Sequence, residues 1–353
     1  MSTTLLTNIL NIPSPTFEEK KLSQYLKKLL EKKTSPHDIF TKDDSVIFRY
    51  GVDKSKKTIA FVGHLDVVPK FFKSYEKDGK IYGAGASDMK AGLAAFIDLI
   101  MNHHHELQQK YNIILILYSK EERTAITDNG LYELINTFPE IIKQVDCAII
   151  GEPTDNNIQL GCVGSLHVTV KINGKSAHSA RPWHGDNALY KAIPLIDKIK
   201  SLEPEKTKIF GVDFFNVIEI TESESEKGRT SIPGYWTCNI NYRFSPEKSE
   251  KMALKQLETI LNTLNINGLS YAVKDSVYAG KVIESDFATQ IIKQLNAPIE
   301  AKQAWTDVAQ LTQLGIPAFN FGPGNQSQAH QDNEYVDLAQ YSNYLDLLKL
   351  LLI

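Results

Sequence analysis

Five side chains able to hold a metal ion stand just beyond apolar or glycine-rich stretches of this 353-residue chain: His64, Asp88, Glu122, Glu152 and His330. The apolar run from Thr58 to Gly63 ends in His64-Leu65-Asp66. The run from Asn112 to Tyr118 leads into Ser119-Lys120-Glu121-Glu122, and that from Val145 to Gly151 into Glu152-Pro153-Thr154. A fourth, from Ile316 to Gly322, passes through Pro323-Gly324 into a polar loop containing His330. Asp88 sits on the glycine-rich turn Gly83 to Gly92, just ahead of a predicted helix. Zinc takes neutral imidazole nitrogen and carboxylate oxygen, and a catalytic site keeps one position for water. Two such ions, roughly 3.5–4 Å apart, need a bridging carboxylate and can clamp an attacking water between them. Two histidines and three carboxylates supply that set. Asp66, two residues beyond His64, can orient the imidazole. In the pair Glu121-Glu122, one carboxylate can bind metal while its neighbour serves as general base.

Taken singly, each residue has a plainer explanation. His-x-Asp after a strand makes an ordinary turn, a Glu pair is usually solvated, and Asp88 ahead of a helix is most simply an N-cap. Their shared placement is what argues for a site. The run His103-His104-His105 lies at a predicted helix end, away from any strand edge, and reads as unconnected with metal.

The elements that must position these residues follow from the hydrophobic pattern. Apolar runs without polar alternation suit central strands covered on both faces. Helices are expected after Ser14-Pro15-Thr16, with an apolar stripe at Leu22, Tyr25, Leu26 and Leu29-Leu30, from Met89 to about His103, and from Gly130 to about Ile135. Strands alternating with helices imply an α/β domain with a mainly parallel central sheet, whose ligand crevice lies at the carboxyl ends of the strands. The middle of the chain reads differently. Gly164 to Gly174 alternates, a helix follows at about 186–202, strands come near 214–221 and 235–244, a helix spans about 246–264, and a last strand fits 269–274. That order is β-α-β-β-α-β, the ferredoxin-like arrangement. The expected division is therefore a discontinuous catalytic domain, 1–162 and 274–353, with an inserted domain at 163–273.

Composition bounds the class. The formal net charge is -3, so no basic excess exists to neutralise phosphates, and a nucleic-acid partner is not expected. No apolar run approaches the roughly 20 residues that span a bilayer, so no membrane partner is expected either. Cys147, Cys162 and Cys238 are odd in number and form no CxxC pair, which argues for a reducing, cytoplasmic setting and against a thiolate zinc site.

The stretches Gly63-His-Leu-Asp-Val-Val-Pro69, Ser87-Asp-Met-Lys-Ala-Gly92, Glu121-Glu122, Gly151-Glu-Pro-Thr154 and the His330 loop resemble the aminoacylase, carboxypeptidase and desuccinylase family of dinuclear zinc hydrolases. The resemblance implies a zinc-peptidase-like catalytic domain and an inserted ferredoxin-like dimerisation and lid domain. It implies two zinc ions per subunit, with cobalt able to replace one. His64 and Glu152 would hold one ion, Glu122 and His330 the other, and Asp88 would bridge. Glu121 would be the general base. Gly161-Cys-Val-Gly-Ser-Leu166, Ala177-His-Ser-Ala-Arg181, and Ala304-Trp-Thr-Asp-Val-Ala309 with Gly322-Pro-Gly-Asn325 are similar to the desuccinylase branch in its actinobacterial form. That branch implies hydrolysis of N-succinyl-LL-2,6-diaminopimelate to succinate and LL-2,6-diaminopimelate. Acetylornithine or another N-acyl amino acid or dipeptide is the neighbouring substrate class, and a metal-binding homologue without catalysis is the alternative of a different kind. By the same resemblance His178 would reach the partner subunit's site in a homodimer and stabilise the oxyanion. Arg243, Arg181 and Thr306 would contact substrate. Thr230 stands where many relatives carry a lid asparagine, so that contact is altered.

Overall fold

The computed structural model describes residues 2–68 and 71–353. The chain forms two compact units: 1–161 with 282–301 and 306–353, and 162–281 with 302–305.

The first unit is built on an eight-stranded mixed sheet in the order Asp38–Lys42, Ser45–Tyr50, Asn112–Tyr118, Thr58–His64, Cys147–Ile150, Ala318–Asn320, Ile158–Leu160, Ile299–Ala301. Its four central strands, Asn112–Tyr118, Thr58–His64, Cys147–Ile150 and Ala318–Asn320, run parallel. The register pairs His64 with Tyr118 and Val62 with Ile150, so the residues that follow these strands emerge at one edge. Every residue of Thr58–His64 and Asn112–Tyr118 is buried, because helices cover both faces. On one face Ala60, Val62, Ile114, Ile116, Ala148 and Ile150 pack with Leu131 and Leu134 of helix Gly130–Thr137. On the other, Phe61 meets Phe96 of helix Lys90–Lys110 at 5.0 Å between ring centroids, and Tyr344 of helix Leu338–Lys349 meets Phe321 at 4.8 Å.

Several elements have no strong sequence signal. Helix Ser2–Leu10 is held by burial of Leu5, Leu6, Ile9 and Leu10. The expected helix near Thr16 begins only at Lys20, because Phe17 takes a left-handed φ of 74° that no helix admits. Helix Lys90–Lys110 runs past the expected end, so His103 to His105 lie inside it. There His103 pairs with Glu106 at 2.7 Å and His104 Nδ1 donates to the Ile100 carbonyl at 2.9 Å. Among the described residues, no helix is long and apolar enough to cross a membrane.

The second unit is a five-stranded antiparallel sheet, in the order Glu205–Ile209, Val212–Ser225, Tyr235–Phe244, Gly164–Asn173, Leu269–Val277. Helices Ala188–Lys200 and Glu250–Thr263 pack on one face. The polar strand Glu205–Ile209 carries no apolar pattern of its own. It pairs with Val212–Ser225 through a turn at Phe210 and Gly211, both of positive φ. Leu166, Val168, Val170 and Ile172 point to the helices, while His167, Thr169 and Lys171 take the opposite face.

Candidate metal centre

The edge of the parallel strands gathers the five candidate ligands in the first unit. His64 closes its strand fully buried. Its Nδ1 lies 3.0 Å from the Asp66 carbonyl oxygen. A carbonyl only accepts, so Nδ1 carries a proton, and in the neutral ring that a metal takes Nε2 keeps the lone pair. That Nε2 lies 3.2 Å from Asp88 Oδ1 and 3.8 Å from Glu152 Oε1. The second carboxylate oxygen of Asp88 lies 3.6 Å from His330 Nε2, and Glu122 Oε1 lies 2.9 Å from the same nitrogen. One ligand atom each from His64, Asp88 and Glu122 fall within 4.8 Å of one another. The single carboxylate of Asp88 thus faces both imidazoles, one oxygen to each.

This donor set fits a metal. Three carboxylates and an imidazole lone pair converge, and acceptors of this kind attract a cation. The histidines report the same field. Burial pushes His64 down, but the Asp88 contact and the charges of Glu121, Asp66 and Asp88 outweigh it and hold the imidazole well above its ordinary value. Hydrogen bonding to Glu122 raises His330 likewise, against burial and the nearby Arg123 charge.

Asp66 is placed differently from its expected role. Its backbone carbonyl orients His64, while its carboxylate stands 3.6 Å from Nδ1. The carboxylate instead accepts the backbone N–H of Glu121 at 3.0 Å, that of Glu122 at 2.8 Å, and the Thr16 hydroxyl at 3.1 Å. It shapes the loop as well as acting by its charge on the ring. Lys120 and Arg123 within that loop take φ values of 61° and 57°. The Glu19 carboxylate fixes the turn further by accepting Lys120 N–H at 2.8 Å. Burial drives Glu121 well above the usual carboxylate range, the His64 charge opposes this, and Glu122, Asp307 and Glu152 add to it. A carboxyl held upward in this way suits a group that takes and returns a proton.

Asp88 does not cap the helix behind it. Met89 occupies the N-cap position of Lys90–Lys110, and no side chain caps that end. Glu152 follows its strand where backbones crowd. A Cβ on Gly92 would stand 2.0 Å from the Gly151 oxygen, and one on Gly322 2.4 Å from the oxygens of both Gly151 and Glu152. Only glycine admits such approaches.

The remaining candidates are divided between the units. Thr306 is buried in the first. His178, Arg181 and Arg243 belong to the second. His178, on a two-residue strand paired with Ser231–Ile232, is exposed and its Nδ1 accepts the Ala180 N–H at 3.1 Å. Arg181 is exposed, and Arg243 is half-buried with its Nε donating to Asn241 Oδ1 at 3.0 Å. Sequence reasoning passed over three buried acids of the first unit: Glu19, Asp307 and Glu334. Asp307 lies within the quoted stretch 304–309 without a role. It accepts hydrogen bonds from Asn129 Nδ2 at 3.2 Å and Gln310 Nε2 at 2.6 Å. No local spacing marks the other two.

Comparison with known proteins agrees with this geometry. Residues 60–353 match the model of peptidase family M20/M25/M40. The chain is 31% identical to succinyl-diaminopimelate desuccinylase of Corynebacterium glutamicum, over 98% of this chain and 94% of that protein. It is 29% identical to the enzyme of the same name from Rickettsia bellii, over 98% of this chain and 95% of that protein. Among solved structures, aminopeptidase PepT from Bacillus cereus shares the fold with a TM-score of 0.79 at 18% identity, covering 99% of this chain and 97% of that one. The chain therefore belongs to peptidase family M20/M25/M40 and is a metal-dependent hydrolase.

Proposed function

We propose that this chain hydrolyses N-succinyl-LL-2,6-diaminopimelate to succinate and LL-2,6-diaminopimelate at a pair of zinc ions, as a cytoplasmic homodimer. The observation that carries the reading is the Asp88 carboxylate, one oxygen toward His64 and the other toward His330. The full-length relatives named for this activity support the substrate. His64 and Glu152 would hold one ion, Glu122 and His330 the other, and Asp88 both. Zinc so held supplies Lewis acidity toward an amide carbonyl and toward a water, and cobalt can supply the same in one position.

The chain's own residues do the rest. Glu121 takes a proton from the water as its oxygen bonds to the amide carbon. It holds that proton, then delivers it to the leaving nitrogen as the C–N bond breaks. His178 accepts a backbone N–H at Nδ1, which leaves its proton on Nε2, ready to donate to the carbonyl oxygen from the partner subunit. Arg243 is positioned by its Nε bond to Asn241, and its planar guanidinium fork suits a substrate carboxylate. Arg181 and Thr306 complete the substrate contacts. Tyr190 and Ile193, 68% and 48% exposed on helix Ala188–Lys200, give the second unit an apolar surface that suits a second copy of the chain.

The test is a side-by-side measurement of kcat/KM on N-succinyl-diaminopimelate and acetylornithine with added zinc. Higher kcat/KM on the first is expected. Preference for the second overturns the substrate, and a zinc-loaded protein inert toward every N-acyl amino acid tried overturns catalysis.

A further inference from the structure

We propose that Glu334 is a positioning residue of the metal centre, clamping the loop that presents Asp88 and so setting that carboxylate between the two imidazoles. The inference rests on the reading of Asp88 as the shared ligand. Glu334 is 4% exposed and lies four residues beyond His330. Both its carboxylate oxygens are committed to one loop. Oε2 accepts the N–H of Gly85 at 2.9 Å, and Oε1 accepts those of Ser87 and Asp88, each at 2.8 Å. Its backbone carbonyl accepts a fourth N–H, from Gly83 at 3.0 Å. The Ser87 hydroxyl donates to the Tyr335 carbonyl at 2.7 Å.

The loop needs such a clamp. Gly85 has a φ of 82°, and a Cβ there would stand 2.6 Å from Val67 Cγ1, so the position is kept for glycine, the residue least restrained by its own backbone. The amides it exposes are buried and must be paired. Three convergent N–H donors call for acceptor oxygens on both arms of the side chain, which a carboxyl group supplies here and a carboxamide, with an N–H₂ on one arm, does not. The same segment therefore presents His330 and fixes Asp88, whose Oδ2 lies 3.6 Å from His330 Nε2. Glu334 touches neither candidate metal position. It acts through the backbone of Asp88.

The experiment compares the metal-free full chain with its Glu334→Gln, Glu334→Asp and Ser87→Ala variants. Each is titrated calorimetrically with zinc and with cobalt, and the visible spectrum of the cobalt forms is recorded. Wild type is expected to bind two ions per chain. Glu334→Gln should lose about 10–100-fold in affinity for at least one ion, the range seen when partners that orient metal ligands are removed, with an altered cobalt spectrum. Glu334→Asp keeps the charge but is one methylene short, and should fall between. Ser87→Ala keeps the three N–H contacts to the Glu334 side chain and loses only the hydroxyl bond to the Tyr335 carbonyl, so it should lose less affinity than Glu334→Gln. Two ions bound by Glu334→Gln with wild-type affinity and spectrum overturn the proposal. Should Glu334→Gln not fold, a folded Glu334→Asp with unchanged metal affinity overturns it equally. A wild type that binds fewer than two ions instead sinks the shared-ligand reading beneath it.

Discussion

The carboxylate of Asp66 holds the backbone N–H of Glu122 at 2.8 Å, and its other oxygen holds that of Glu121 at 3.0 Å. The acid two residues beyond His64 therefore fixes the loop that bears the proposed base and one proposed ligand. Asp66→Asn retains one acceptor oxygen and turns an amide N–H₂ toward the other backbone N–H. Metal affinity should fall about 10–100-fold, and turnover with it. A competition titration against a chromogenic chelator reads the first quantity. Wild-type affinity and turnover together would remove the carboxylate as anchor of the loop.

Glu121 carries the proton in the proposed reaction. Glu121→Gln keeps the shape and the Asp66 contact, which uses backbone, but cannot take a proton. We expect both metal ions retained by elemental analysis and kcat lowered by about 10²–10⁴ or more. Appreciable turnover in that variant would eliminate Glu121 as the base.

Chelation should separate fold from activity. The converging carboxylates of Asp88, Glu122 and Glu152 repel one another unless a cation lies among them. Metal at 100-fold above its dissociation constant stabilises the folded chain by about 2.7 kcal/mol. Chelator-treated protein should be inactive and melt at a lower temperature by scanning calorimetry. Zinc or cobalt should restore both properties. An unchanged melting temperature on chelation would argue against metal binding at this edge.

Glu152 depends on a backbone contact with no room for a side chain. Gly92→Ala would drive a Cβ to 2.0 Å from the Gly151 oxygen, and both partners there are backbone. The variant should be destabilised by about 1–3 kcal/mol or more, as overpacked cores are. Thermal melts followed by circular dichroism measure this. Wild-type stability would mean that helix Lys90–Lys110 moves freely against the strand.

Arg243 offers a test of the substrate contacts. Lysine keeps the charge but loses the planar fork and the bond to Asn241. Losing one charge-assisted hydrogen bond, about 1.5–3 kcal/mol, should raise KM about 10-fold or more, with a smaller effect on kcat. Steady-state kinetics on Arg243→Lys reads the split. A wild-type KM would remove Arg243 from the substrate site.

By itself the sequence determined the central parallel strands, the edge where they end, and the residue types waiting there. The reason is local. A strand covered on both faces must be apolar throughout, as Thr58–His64 and Asn112–Tyr118 are, so the run is visible and so is the first polar residue beyond it. The βαββαβ order was legible for the same reason, through alternation in strands such as Gly164–Asn173 and helical spacing between them. The polar strand Glu205–Ile209 escaped because pairing with a neighbour, not burial of its own side chains, holds it in place. Only the tertiary structure decided what the polar groups at the strand edge bond to. It turned the Asp66 carboxylate to the Glu121-Glu122 amides, left Asp88 uncapping, and brought Glu334 onto a loop some 250 residues earlier, across separations of 249 to Gly85 and 246 to Asp88. Such bonds leave no periodicity in the chain. A buried amide accepts whichever carboxylate the fold delivers, and that partner is fixed by the packing of the elements rather than by spacing along the sequence.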